Sequence, residues 1–520
     1  MTDHLQELYE KYDFLSSAKD NITQHSNVYV ECIEGTKGAP KEKKLAAQII
    51  AKFFKNFPEL QDTSLNAILD LCEDGDSDIR ICAMKTLPIL CKDNKEYVTN
   101  IASVLSQLLQ LEDQDYTTAC NALNQVFKEN QLSATKGILS NIHQPADEVS
   151  REKCITYLYK KLTKVQGKLP SDLEDLLIEE GKKILMGTNS NEFIVIISFL
   201  LESKLAKTTA GQQELIDLVA ERVELGENFI ISEDVNNNNV DKLILCINSI
   251  LPLFSASLES TKFLLYYCNK ILPQWESIGR IPDGEKLQLK LLRQLAELSV
   301  HCGNVENITE IVEKIFNKLK ECMPLPPDDV DINQVPDLDF SSVECLLYIF
   351  HKLARKCPEF LTGDQQLLKD FRSRLQYFSR GVQGCKRALD NSANIKKELT
   401  AEEQSKLAIA PAVLDNINSL VKDLFYQPPL YKCNPQLSFK IENKQKAVEK
   451  SPAGVKRHIP ITFDSSNGTP MENLVVILVG QIHAADGTEA WVAAEHPEVT
   501  GEETGTGGIN LEWVFLHRFP

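Results

Sequence analysis

Three sets of residues in this sequence are of types that could do chemistry. GEETGTGGIN, at 501–510, has the glycines of a phosphate cradle, where backbone amides turn toward an anion at a helix start. No GK[ST] follows and no helical pattern begins there, so a flexible, turn-rich segment is expected. The fourteen cysteines, among them Cys72, Cys82, Cys91, Cys120 and Cys154, lie in apolar helical patterns without CxxC or C...H spacing. They fit neither a zinc site nor a disulfide framework and are expected to be reduced core residues. The nine histidines, from His4 to His517, show no metal-ligand spacing, and GxSxG, HExxH, Walker and kinase signatures are absent. No enzyme activity, metal or cofactor is therefore expected.

The remaining patterns offer binding rather than catalysis. A heptad runs Leu368, Leu375, Val382, Leu389 through LKDFRSRLQYFSRGVQGCKRAL, with Arg372, Arg374, Arg380, Lys386 and Arg387 on polar positions. It is a zipper-like partner surface or a seam packed on neighbouring helices, and the apolar spacing serves both. Gly381 and Gly384 interrupt it, each costing about 1 kcal/mol relative to alanine in mid-helix. Two LxxLL strings, Leu105–Leu109 and Leu173–Leu177, have docking spacing, but the same spacing is the ordinary buried face of a helix. Lys41, Lys44, Lys52 and Lys55 form a basic stripe able to touch phosphate, while Lys456 and Arg457 are a candidate nuclear-import signal.

The elements that must position these residues are helices. Helical periodicity dominates from about residue 5 to 425, and strand-like alternation is confined to the last fifty residues. Lys44, Ala47 and Ala51 recur as Arg80, Ala83 and Leu87, as Tyr116, Ala119 and Leu123, and as Arg151, Cys154 and Leu158, spaced 36, 36 and 35 residues apart. A small residue followed four positions later by an apolar one suits stacked helical hairpins of the HEAT type. In KEKKLAAQIIAKFFKNFPEL the apolar face of Leu45, Ala46, Ile49, Ile50, Phe53, Phe54 and Phe57 is wide enough for a core, and Pro58 should end the helix. Asp76 or Asp78 should cap the next one. Later helices are expected at 191–204, 241–254, 260–271, 284–300, 305–320, 341–356, 364–389 and 402–425.

Forty-three per cent apolar and 25 per cent charged residues describe a globular chain, and a net charge of −18 opposes non-specific binding to nucleic acid. Met-Thr-Asp-His-Leu is not a signal peptide, and FIVIISFLL at 193–201 is too short to span a bilayer, so an intracellular monomer without a membrane segment is expected. VNNNN at 235–239 and PLPPDDVDINQVPDLD at 324–339 interrupt the helices as polar loops.

KEKKLAAQIIAKFFKNFPEL, LDLCEDGDSDIR, ECMPLPP, SSVECLLYIFHKLARKCPEFLT, FRSRLQYFSRG and INSLVKDLF, in unbroken order from about residue 5 to 430, closely resemble the apoptosis inhibitor 5 family, also called antiapoptosis clone 11. The resemblance implies an all-α helical-repeat solenoid, HEAT-like in its N-terminal half and armadillo-like in its C-terminal half, without enzymatic activity. It implies residence in the nucleus with some cytoplasm, and negative regulation of apoptosis by scaffolding. The implied partners are an Acinus-like chromatin-condensation factor, fibroblast growth factor 2 and mRNA processing or export factors.

The family's zipper falls on Leu368, Leu375, Val382 and Leu389, with its third leucine replaced. Ala256 stands where the family has a regulatory acetyl-lysine, and Met186-Gly187 where vertebrate members carry an acidic pair. The import signal maps onto SPAGVKRH, and beyond about residue 465 no resemblance is visible. The expected division is 1–205, HEAT-like helical repeats; 206–435, an armadillo-like helical region with the Pro/acidic loop at 324–339; and 436–520, a disordered basic tail with a divergent C-terminus. A different class stays open, an RNA-associated mRNA processing or export adaptor that uses the lysine stripe.

Overall fold

The computed structural model describes residues 3–162, 169–231, 239–326, 338–391 and 401–440. Every regular element among the described residues is helical. The chain divides into two compact units between Ile311 and Val312.

The first unit opens with α1 (Asp3–Ser17), α2 (Ser26–Glu34), α3 (Pro40–Phe53), α4 (Gln61–Cys72), α5 (Ser77–Asp93), α6 (Val98–Gln107), α7 (Asp113–Glu129), α8 (Gln131–His143) and α9 (Glu148–Thr156). α9 runs on into a π-helical turn at Tyr157–Leu162. Then follow α10 (Ser171–Leu185), α11 (Ser190–Glu202), α12 (Thr209–Arg222), α13 (Asn239–Ile250), α14 (Thr261–Tyr266), α15 (Trp275–Arg280) and α16 (Gly284–Leu298).

The recurring residues lie on α3, α5, α7 and α9, and Ala47, Ala83, Ala119 and Cys154 are all fully buried. Small side chains there let α3 pack on α5 and α5 on α7, so each pair covers an apolar face that one hairpin would leave wet. The companion helices approach even more closely. A Cβ on Gly137 of α8 would lie 2.2 Å from the Thr99 carbonyl of α6, so only glycine fits. Asn141 of α8 donates to the Ser103 carbonyl and the Ser106 hydroxyl, both at 2.7 Å.

Polar side chains tie each repeat to the next. Lys44 of α3 reaches Asp78 of α5 at 2.9 Å. Arg80 of α5 donates from Nε to Asp115 of α7 at 3.0 Å, pairs again through Nη2, and Asp115 also accepts from Ser77. Arg151 of α9 reaches Glu192 of α11 at 3.0 Å, and the same carboxylate closes the capping box with Asn189. The third unit has Tyr116 where the others carry a cation, and the link runs backward there. Lys161 donates to the Tyr116 hydroxyl at 2.7 Å and sits over its ring. Asp76 is the residue that caps α5, accepting from the Asp78 amide, which leaves the Asp78 carboxylate to Lys44.

Two expectations shift. α3 gives way to a 3-10 turn at Phe54, four residues before Pro58, and Pro58 opens the following turn instead of ending the helix. The first unit also continues past residue 205. Arg222 of α12, buried against the Phe193 ring, donates to the carbonyls of Leu185 and Thr188 at the end of α10. Farther on, buried Gln294 of α16 joins the Ile244 carbonyl of α13 and the Tyr267 hydroxyl.

The division falls inside α17 (Ile308–Cys322), and the second unit holds α18 (Phe340–Ala354), α19 (Glu359–Thr362), α20 (Gln365–Asn391) and α21 (Ala401–Phe425). Its core is aromatic. Phe316 meets Phe371 edge-on at 4.8 Å and Phe350 at 5.5 Å, and Phe340 meets Phe378 at 5.6 Å. α18 is buried along almost its whole length, including Glu344 and His351. Gly381 has a packing reason, because a Cβ there would lie 3.0 Å from Leu338; nothing lies within 4 Å of Gly384. The loop at 324–339 and VNNNN fall largely outside the described residues, and the segment from 441 onward does so entirely.

The ladder predicts a graded response. Asp115→Ala should cost roughly 3 kcal/mol, because it leaves the Arg80 guanidinium in a partly buried site without its counter-charge. Lys44→Ala, in a more exposed pair, should cost less than about 1 kcal/mol. Denaturant titrations of the full chain check this, and equal losses would remove the ladder's special role.

Candidate functional site

The heptad residues lie on α20 of the second unit. Leu375 and Val382 are fully buried, while Leu368 and Leu389 are half-buried. Arg374 turns inward, donating to the Met323 carbonyl at 2.8 Å at the end of α17 and to Asp370 at 2.9 Å. Lys386 pairs with Asp415 of α21. The centre of the seam is thus packed inside the second unit, with Arg374 and Lys386 committed to α17 and α21, while Arg380 and Arg387 are exposed.

The LxxLL strings are likewise core residues. Leu105, Leu109, Leu173 and Leu177 have almost no exposure. In the lysine stripe, Lys44 is held by Asp78, and Lys52 donates to the Tyr12 hydroxyl at 2.6 Å and to Ser16 at 3.1 Å. Lys41 and Lys55 are exposed. Met186, at the position of the family's acidic pair, is 39% exposed at the end of α10, and Ala256 is exposed in the loop after α13. Lys456 and Arg457 lie outside the described residues.

No cluster among the described residues could hold a metal ion, and all fourteen cysteines are free thiols. Burial raises Cys72, Cys91 and Cys154 above the ordinary thiol range, to about 12, about 12 and about 11, which leaves them protonated and unreactive. No described helix is long and apolar enough to cross a membrane, and FIVIISFLL lies in α11 with Phe193, Ile196, Ile197, Phe199 and Leu200 buried.

The feature that sequence periodicity missed follows α21. After Phe425 the chain turns back through Gln427 and Pro428 and runs across α18 and α21 without helix or strand as far as Ser438. Side chains hold its backbone. Arg355 donates twice to the Tyr431 carbonyl, from Nε at 3.0 Å and Nη2 at 2.7 Å. Asp423 accepts from the amides of Lys432 and Cys433, both at 2.6 Å. Asn416 donates to the Gln436 carbonyl at 2.8 Å, and buried Glu344 accepts from the Ser438 amide at 2.9 Å and its hydroxyl at 2.5 Å. The Tyr348 hydroxyl and the Lys352 ammonium both donate to Asn434 Oδ1. In FYQPPLYKCNPQLS, only the prolines and the loss of helical spacing signalled such a segment.

Beneath it, His351 donates from Nδ1 to the Leu347 carbonyl at 2.9 Å and packs edge-on against Tyr431. Burial pushes its pKa from 6.5 down to about 4.

The two units define a protein of the helical-repeat class, built from stacked helices. The family model for apoptosis inhibitory protein 5 matches residues 5–475, reaching slightly past the resemblance visible in the sequence. The chain belongs to that family. Apoptosis inhibitor 5-B of Xenopus laevis is 39% identical over 483 residues, covering 91% of this chain and 90% of that protein. Human apoptosis inhibitor 5 is 39% identical over 477 residues, covering 90% and 88%. The Drosophila melanogaster homologue is 36% identical over 471 residues, covering 89% and 86%. Among solved structures, a C-terminal fragment of the Chaetomium thermophilum cohesin loader matches with a TM-score of 0.31 and 13% identity, over 80% of this chain and 29% of that one.

Two measurements follow from this geometry. Leu375→Arg places a charge in a packed seam and should lower stability by roughly 3 kcal/mol or more, whereas Leu368→Arg should cost much less; thermal melts compare them. An unchanged Tm in Leu375→Arg with lost partner binding would make the heptad an exposed interface. For His351, the unfolded chain gains a proton near pH 6.5 that the folded chain gains only near pH 4. Its contribution is therefore fully present above pH 6.5 and lost as pH falls toward 4, by roughly 3 kcal/mol. Melts between pH 7 and pH 4 should show that loss, and His351→Phe should flatten it.

Proposed function

We propose that this chain is a non-catalytic nuclear scaffold that restrains apoptosis by holding protein partners on its helical-repeat faces. The observation that carries the reading is family membership across nearly the whole chain, with relatives named apoptosis inhibitor 5 at 39% identity over 90% of its length. Stacked repeats support it physically, because they expose long, rigid surfaces whose cores need no ligand to fold.

An Acinus-like chromatin-condensation factor and mRNA export factors are the partners to test first. Fibroblast growth factor 2 has less support, since Met186-Gly187 replaces the acidic pair. The RNA-adaptor reading also has less support, with Lys44 and Lys52 engaged within the chain and a net charge of −18.

Expression of the full chain in cells depleted of their own family member should lower caspase activation after an apoptotic stimulus. The tagged chain should enrich in the nuclear fraction and retain nuclear proteins at moderate salt. Undiminished caspase activation, or a cytoplasmic chain that recovers no nuclear protein, would overturn the proposal. Filter binding to RNA across a salt series separates the two readings, because direct phosphate contacts give affinity that falls steeply with salt.

A further inference from the structure

The segment after α21 is held as proteins hold a peptide ligand. Repeat helices satisfy their own backbone and meet their neighbours through apolar faces. Residues 429–438 instead have backbone groups satisfied by Arg355, Asp423, Asn416 and Glu344. Their side chains alternate as an extended chain on a surface does. Pro429, Tyr431 and Leu437 are buried and Leu430, Lys432 and Gln436 are exposed, while Asn434 is exposed at its edge but turns its Oδ1 back to Tyr348 and Lys352.

The fit is also imperfect. Tyr431 has a φ of 50°, a left-handed conformation that costs a residue with a Cβ. Its hydroxyl is buried without a hydrogen-bond partner. A fixed part of a core rarely combines strained backbone with an orphaned polar atom on the same residue, because each lowers the stability of the bound arrangement.

We infer that the face formed by α18 and α21 is a binding site for an extended peptide of another protein, and that residues 429–438 are its intramolecular occupant. The site's chemistry defines the partner. It would carry an aromatic residue, a side-chain acceptor three positions on for Tyr348 and Lys352, and a serine or threonine seven positions on for Glu344. Tyr431, Asn434 and Ser438 have that spacing. This rests on the scaffold reading only in assigning the peptide to a partner, and the test uses the chain's own sequence, so its failure would leave the scaffold reading intact.

An occupant tethered directly to α21 has an effective concentration on the order of millimolar, so a free peptide competes poorly until the tethered copy is weakened. The probe is fluorescein-labelled QPPLYKCNPQLSFK, residues 427–440, titrated into the full chain and followed by anisotropy. Tyr431→Ser with Asn434→Ala weakens the occupant and leaves the α18 and α21 residues unchanged. The labelled peptide should bind this variant roughly 10- to 100-fold more tightly than it binds the unaltered chain. Adding Arg355→Ala, an exposed position, should take away most of that gain.

Equal binding to the unaltered chain and to a variant of unchanged helical content would overturn the inference. If the variant loses helix, hydrogen exchange of the unaltered chain decides the matter. Amides of Lys432 and Cys433 exchanging far faster than those of Leu346–Phe350 support a displaceable occupant, and exchange at the same rate overturns it.

Discussion

The first unit depends on one constraint: a helical hairpin of this length cannot bury both its apolar faces alone. Each must borrow a neighbour's surface, so the contact between consecutive repeats matters more than anything inside one repeat. Small residues at Ala47, Ala83, Ala119 and Cys154 bring the second helices together. The polar ladder sets their register, since Arg80 meets Asp115, and Arg151 meets Glu192, in only one alignment. Apolar faces would tolerate sliding by a turn; charge-assisted hydrogen bonds between partly buried groups do not. Where the cation is missing, at Tyr116, a lysine from the following turn supplies the link, so the ladder persists with its direction reversed.

The second unit meets the same need with different chemistry. Phenylalanines from α17, α18, α19 and α20 interlock at its centre, and α18 runs through them nearly without exposure. A central helix with buried Glu344 and His351 must find partners for both. Glu344 finds partners in Asn416 and in Ser438, which opens a 3-10 turn at the end of the irregular segment after α21. The polar residues of α18 therefore recruit the chain beyond α21, and with it the exposed residues Tyr426 and Leu430.

In this member of a family named for restraining apoptosis, most sequence patterns with docking spacing are taken up by packing. The LxxLL leucines and the centre of the heptad serve packing, and two of the four stripe lysines serve the first unit itself. Sequence motifs that read as docking elements in isolation become core once neighbouring helices cover them, because docking and packing use the same apolar spacing.

Much of the fold is legible in the sequence. The 36-residue recurrence located α3, α5, α7 and α9, and apolar spacing placed the later helices to within a few residues, because helical periodicity is a local property. Pro58 misled, since the 3-10 turn at Phe54 answers to packing of its aromatic side chains rather than to the proline. Continuity past residue 205 was hidden for a related reason: Arg222 reaches carbonyls more than thirty residues earlier, and no sequence period records that. The candidate site was the least legible part. The sequence by itself determined that the heptad was apolar and the segment after α21 was not helical. Only the tertiary structure decided that the heptad's centre faces inward, and that the later segment lies on α18, because Glu344 and Ser438 are 94 residues apart and their meeting depends on the whole unit being folded between them.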